Sequence, residues 1–150
     1  MEASSNIRER NIELTRRGFE AYNSGDYETV IALLHPDVEL RADHELLNSG
    51  TFTGHDGFMQ WSAEWLEAWE EFSVDANAVE TIGDHFVLVD SHQVARGAGS
   101  GIDVEMDVFW ALEAEAGQLR RMHIYATRER ALDVIRGWSE QREAHADGDT

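Results

Sequence analysis

His92, Asp107 and His123 are side chains of the types that move protons: two imidazoles, which titrate near neutral pH, and a carboxylate. Strand register is what would bring them together. The stretch from Gly97 to Gly101 reads as a turn between two strands. If it sets Gly97 opposite Ile102, then His92 lies across from Asp107 and Arg96 across from Asp103. If Leu112 pairs with Gln118 across the next turn, His123 joins the row beside Asp107. Such a row could relay a proton or hold a metal. It is also the composition of an ordinary wet face, because Arg96, Asp103 and Glu105 share it. A second group, Asp43, His44 and Glu45, opens a loop leaving the first strand. An acid or base there could lean over a pocket mouth, and a solvated turn is the simpler alternative.

Other chemistries find less support. The chain has no cysteine, which excludes disulfides, thiolate nucleophiles and Cys-based metal centres. No His-x-x-x-His or His-x-His spacing occurs, so no metal site is expected. Gly97, Gly99 and Gly101 imitate a phosphate loop, yet they join two strands instead of opening a helix, whose N-terminal amides are what bind phosphate. No Gly-x-Ser-x-Gly element is present. No cofactor is expected.

Thirty acidic residues against twelve basic ones, all of them Arg, leave a net charge of -18 on 150 residues. Nucleic acids and anionic membranes are bound through clustered cations, so neither is expected as a partner. With 42% apolar residues, 28% charged residues and one Pro, the composition is that of a folded chain. Its length suits a single domain, read as residues 1–140 and followed by a polar tail, 141–150, unstructured from Glu143 onward. Arg8, Arg10, Arg16 and Arg17 alternate with Glu9, Glu13 and Glu20 where a signal peptide would be apolar. No apolar run approaches the roughly 18 residues of a membrane span, and a cytoplasmic location is expected.

The elements that must position these groups follow from periodicity. Ile7, Leu14, Phe19 and Tyr22 mark an amphipathic helix ending at Asn23-Ser24-Gly25. Asp26 can cap a short second helix with Val30, Ile31 and Leu34 on its apolar face, stopped by Pro36. Val38 and Leu40 alternate with polar neighbours as a strand does, and a loop is expected from Ala42 to Gly54. Phe58, Trp61, Trp65, Trp69 and Phe72 recur every three or four residues, predicting one helix from Asp56 to Phe72. Four strands then follow: Val74 to Ile82, Phe86 to Arg96, Ile102 to Leu112 and Leu119 to Tyr125. Thr127 can cap a closing helix through Ala131, Ile135 and Trp138. Helices followed by a meander define an α+β class.

The same register sorts the sheet's other face. Val89, Ser91, Gln93, Met106, Val108, Trp110, Met122 and Ile124 share it, with Leu40 from the first strand and a roof of Trp61 and Trp65. Aromatics interrupted by a few polar groups suit a small organic ligand, and they equally suit a packed core.

This order of elements resembles the SnoaL-like branch of the nuclear transport factor 2-like proteins, relatives of polyketide cyclases and ketosteroid isomerases. The marks are Tyr22-Asn23-Ser24-Gly25-Asp26-Tyr27, His35-Pro36-Asp37-Val38-Glu39, Gly50-Thr51-Phe52-Thr53-Gly54, Ser100-Gly101-Ile102-Asp103-Val104-Glu105, and Ile124-Tyr125 followed by Arg130-Ala131-Leu132. The resemblance implies a cone-shaped, curved antiparallel sheet packed on an N-terminal helix and further helices, the cystatin-like fold. It also implies a pocket between the concave sheet and the helices, and homodimers formed through the sheet's outer side. The fold hosts isomerases, cyclases, epoxide hydrolases, dehydratases and noncatalytic dimers, so it does not name a reaction. Where a ketosteroid isomerase carries its base and tyrosine, the matching positions here are Ala42 and Gly18. Where SnoaL-type cyclases carry an acid and a histidine, they are Ile124 and Trp110. The expectation is therefore an apolar, Trp-lined pocket for a small cyclic or lipophilic molecule. One alternative is an acid/base isomerase or cyclase acting on a polyketide- or steroid-like substrate through Asp43, His44 or the His92, Asp107, His123 row. Another is a structural dimer whose tryptophans fill its own cavity.

Overall fold

The computed structural model describes residues 2–44, 46 and 49–148, so the candidate Glu45 lies outside the described residues. The order is α1 (Glu2–Asn23), α2 (Tyr27–Ala32), β1 (Leu34–Ala42), β2 (Gly50–Thr53), α3 (Gly54–Glu67), β3 (Trp69–Ile82), β4 (Phe86–Gly97), β5 (Asp103–Glu115), β6 (Gln118–Tyr125) and α4 (Arg128–Gly148). The strands form one six-stranded sheet in the order β2-β1-β6-β5-β4-β3. All neighbours are antiparallel except β1 and β6, whose parallel pairing makes the sheet mixed. Among the described residues no helix is long and apolar enough to cross a membrane.

Several elements depart from the periodicity reading. The second helix ends at Ala32, and Pro36 lies inside β1, where the ladder to β6 is irregular between Leu34 and Glu39. Proline has no N–H to give that ladder, so it interrupts the pairing and leaves the strand intact. The expected loop from Ala42 to Gly54 contains β2, which pairs Phe52 with Leu40. The aromatic helix stops at Glu67, and Trp69 and Phe72 belong to β3. Phe72, Val74 and Ala76 also alternate with polar residues. Pairing of Phe72 with Ala95 and Val74 with Gln93 selects that period over the helical one. α4 continues as helix to Gly148, through the stretch from Glu143 where a tail was expected.

Strand alternation separates two buried layers. On the inner face Leu40, Val87, Val89, Val108, Trp110, Leu112, Met122 and Ile124 form one core with residues of α1, α2 and α3. On the outer face Phe86, Leu88, Ala111 and Tyr125 pack against Ala131, Ile135 and Trp138 of α4. Asn23, at the end of α1, fastens the edge strand β3. Its side-chain amide donates to the Val74 carbonyl at 2.6 Å and its oxygen accepts from the Val74 N–H at 2.9 Å. The side chain thus stands in for a missing neighbouring strand.

The β5–β6 hairpin turns on Ala116 and Gly117 alone, with φ of +52° and +80°, and pairs Glu115 with Gln118. Positive φ at both central residues is the geometry that matches strand twist, and it disfavours the alanine.

Two outcomes are expected in urea unfolding. Ala116→Gly should raise stability by about 1 kcal/mol, because glycine relieves the left-handed conformation. Asn23→Ala should lower it by about 1 to 3 kcal/mol for two hydrogen bonds, and Asn23→Asp should also lower it, by setting a carboxylate against the Val74 carbonyl.

Candidate ligand-binding site

The cavity lies between the inner face of the sheet and α1, α2 and α3. α1 contributes Thr15, Gly18, Phe19 and Tyr22, whose spacing puts them on one helical stripe. α3 contributes Phe58 and Trp61, and the sheet contributes Phe72, Val74, Gln93, Trp110, Leu112 and Met122. Its volume is about 50 Å³. An engineered cavity that admits benzene measures about 150 Å³, so a ring-sized ligand requires lining side chains to swing aside.

Aromatic contacts build the walls. Phe19 meets Trp110 edge-on at 5.2 Å, and Tyr22 meets Phe58 at 6.3 Å and Phe72 at 6.2 Å. Trp61 stacks on Trp65 with rings 6.4 Å apart and nearly parallel. Trp65 in turn lies against Trp69 and Phe72, so the break between α3 and β3 folds the aromatic stripe into a cluster. Of the residues expected to line a pocket, Trp61, Gln93, Trp110 and Met122 border the cavity. Leu40, Val89, Ser91, Met106, Val108 and Ile124 lie around it on the same face. The stripe on α1 and the Phe58 and Phe72 walls were read from the sequence as helix faces and not as pocket lining. The spacing of Thr15, Phe19 and Tyr22 was the available signal.

No acid, histidine or arginine borders the cavity among the described residues. The row formed by Ala42, Ile124 and Trp110 crosses β1, β6 and β5 on the inner face and is wholly apolar. Tyr22 is the titratable side chain there. Burial pushes its phenol up to about 12 against the opposing effect of its 2.9 Å hydrogen bond with Ser62, so it stays neutral at physiological pH.

The charged candidates lie elsewhere. His92 pairs with Asp107 as the register predicts, with Nδ1 2.8 Å from the carboxylate, on the outer face. That hydrogen bond raises the imidazole pKa above its ordinary value, with Asp107, Glu105 and Asp75 adding to the effect. His123 does not join them. The two-residue turn and a bulge between Glu113 and Ala114 set it opposite Ala111 instead of Asp107. The shift spans an even number of residues, so Met122 and Ile124 keep the inner face. His123 is buried beside Trp138, with Nε2 2.7 Å from Glu39. Burial lowers its pKa against the pull of that carboxylate. Asp43 is 5% exposed just past β1, held by Arg130 at 3.3 Å and His44 at 3.2 Å. It ties the end of β1 to the start of α4. His44 itself is exposed. Among the described residues no group of three or more His, Asp or Glu is placed to hold a metal.

Known proteins place this geometry. The sequence pattern of the SnoaL-like domain matches residues 15–122. No curated protein matches the chain. Among solved structures, TerC co-crystallised with polyporic acid is similar at 20% identity, covering 85% of this chain and 98% of its own, with a TM-score of 0.71. Bal32a from a soil-derived mobile gene cassette is similar at 19% identity, with 86% and 98% covered and a TM-score of 0.74. A putative SnoaL-like polyketide cyclase from Jannaschia sp. CCS1 is similar at 17% identity, with 86% and 93% covered and a TM-score of 0.71. These likenesses concern the fold, and the domain match over residues 15–122 establishes that the chain belongs to the SnoaL-like family.

Proposed function

We propose that the protein binds a small cyclic or lipophilic molecule between α1, α3 and the inner face of the sheet. The observation that carries this reading is a cavity walled by aromatic and aliphatic side chains and bordered by no charged group among the described residues. Gly18 supports it. A glycine in the middle of α1 costs about 1 kcal/mol of helix stability relative to alanine, and here it leaves room beside the cavity. The polyporic acid co-crystallised with TerC is an organic molecule on the same fold, which favours the same class of ligand.

An isomerase or cyclase acting on a polyketide- or steroid-like substrate needs a base within hydrogen-bond reach of the reacting carbon. Asp43 is engaged by Arg130, and His92 with Asp107 lies on the opposite face of the sheet. The balance of these observations favours binding over acid/base turnover. As a homodimer, the chain would use the outer face beyond α4, where Val94 is exposed on β4 between the polar side chains of His92 and Arg96.

A panel of small neutral lipophilic compounds should produce saturable changes in tryptophan fluorescence, because Trp61 and Trp110 border the cavity. Gly18→Leu should abolish them by filling the space, its first carbon lying 4.0 Å from Leu33 and the remainder projecting further. Asp107→Asn should leave binding unchanged. A panel without any saturable response would defeat the reading.

Ionisation offers a separate check. The Tyr22 phenol has its folded pKa raised to about 12 from the model-compound value of 10.0, so its contribution to stability is complete below pH 10.0 and is lost as pH rises towards 12. Tyr22→Phe should flatten alkaline unfolding in that window, as read by circular dichroism. For the dimer, light scattering at micromolar concentration should give twice the chain mass of 17.0 kDa, and a mass of one chain would contradict it.

A further inference from the structure

The amide of Gln93 makes no hydrogen bond within the described protein, although the residue is only 5% exposed and borders the cavity. Its neighbours are differently placed. The Thr15 hydroxyl donates to the Asn11 carbonyl at 2.7 Å, and the Tyr22 hydroxyl is paired with Ser62. On the same strand and face as Gln93, the Ser91 hydroxyl donates to the Val108 carbonyl at 2.8 Å and accepts from the Trp110 indole at 3.0 Å. The amide is not among the fully buried polar groups left without a partner, so it stays open to a small molecule beside it, and a position requiring only volume is met by leucine or methionine.

We propose that Gln93 determines the specificity of the cavity, and that the ligand it selects is a neutral molecule with one carbonyl or hydroxyl oxygen on a small apolar body. The proposal rests on the reading that the cavity binds a ligand, and it names the class. A carboxamide offers both a donor and an acceptor, so its NH2 serves a ligand carbonyl and its oxygen serves a ligand hydroxyl. In the rows of the sheet Gln93 stands between Val74 and Met106, so its amide faces the polar end of the ligand from among apolar neighbours. No described charged side chain borders the cavity. An ionised ligand therefore loses its hydration without gaining a counter-charge, and a pure hydrocarbon leaves the amide unmet.

The test compares cyclopentanone with methylenecyclopentane, which replaces the carbonyl oxygen by a CH2 group at nearly constant shape. Both are titrated into the full chain and into Gln93→Met, following the Met122 methyl resonance at the cavity wall. Gln93→Met should weaken cyclopentanone binding by about fivefold or more and change methylenecyclopentane binding by less than about twofold, the difference expected for one net hydrogen bond. Equal effects on the two compounds overturn the role of Gln93 while leaving the cavity a binding site. If neither compound moves the Met122 resonance in the unmodified chain, the binding reading fails and the specificity proposal with it. Should Gln93→Met not fold, the Gln93 side-chain amide protons of the unmodified chain decide the matter. They should shift with cyclopentanone and not with methylenecyclopentane, and the absence of that difference overturns the proposal.

Discussion

The antiparallel pairing of β4 with β5, running from Phe86 against Glu113 to Arg96 against Asp103, is the constraint on which the site depends. Because successive side chains leave a strand on opposite faces, that register sends Val89, Ser91, Gln93, Val108 and Trp110 inward and Asp90, His92, Asp107 and Phe109 outward. A slip by one residue would put His92 and Asp107 into an apolar interior and expose the tryptophan. The helices reinforce the choice. α1 and α3 cover a face that is already apolar, and α4 covers the part of the outer face where Phe86, Leu88 and Ala111 are clustered.

A low-polarity cavity follows from the same arrangement. The Ser91 hydroxyl and the Trp110 indole are paired inside the protein, as is the Thr15 hydroxyl, so these groups add shape and little polarity. The Tyr22 phenol is held neutral by burial. Under the proposed binding role, a single amide in such surroundings would have a large influence on which ligand is favourable, because no described charged side chain borders the cavity. Under the same proposal, the small volume would add a steric filter that relaxes as the aromatic walls move.

The charged groups serve the architecture of the outer layer. Glu113 is buried under α4 and is met by Arg121 at 2.8 Å and Arg142 at 3.3 Å, while the Arg121 guanidinium sits 4.3 Å from the centre of the Trp138 ring. Glu39 reaches His123, and Arg130 reaches Asp43. Each contact joins a strand, or for Asp43 the residue just past β1, to another strand or to α4. Side chains of the types that carry acid/base chemistry thus also serve here as ties within the sheet and to α4.

The sequence by itself determined the α+β order, the capped start of α2 at Asp26, the inner and outer faces of β4 and β5, and the fold family carried by local marks such as Tyr22-Asn23-Ser24-Gly25-Asp26-Tyr27. These are properties of local periodicity, turn chemistry and composition, which one stretch of chain contains. Tertiary structure decided the rest. The Trp69 and Phe72 stretch satisfies helical and strand periods alike, and only pairing with β4 selects the strand. The partner of His123 depended on a two-residue turn and a bulge, which alter register without altering face. The cavity itself is bounded by side chains from α1, α2, α3 and the sheet, and no local pattern specifies how closely those surfaces approach. Packing across distant segments sets that separation, and with it whether Gln93 has a partner inside the protein.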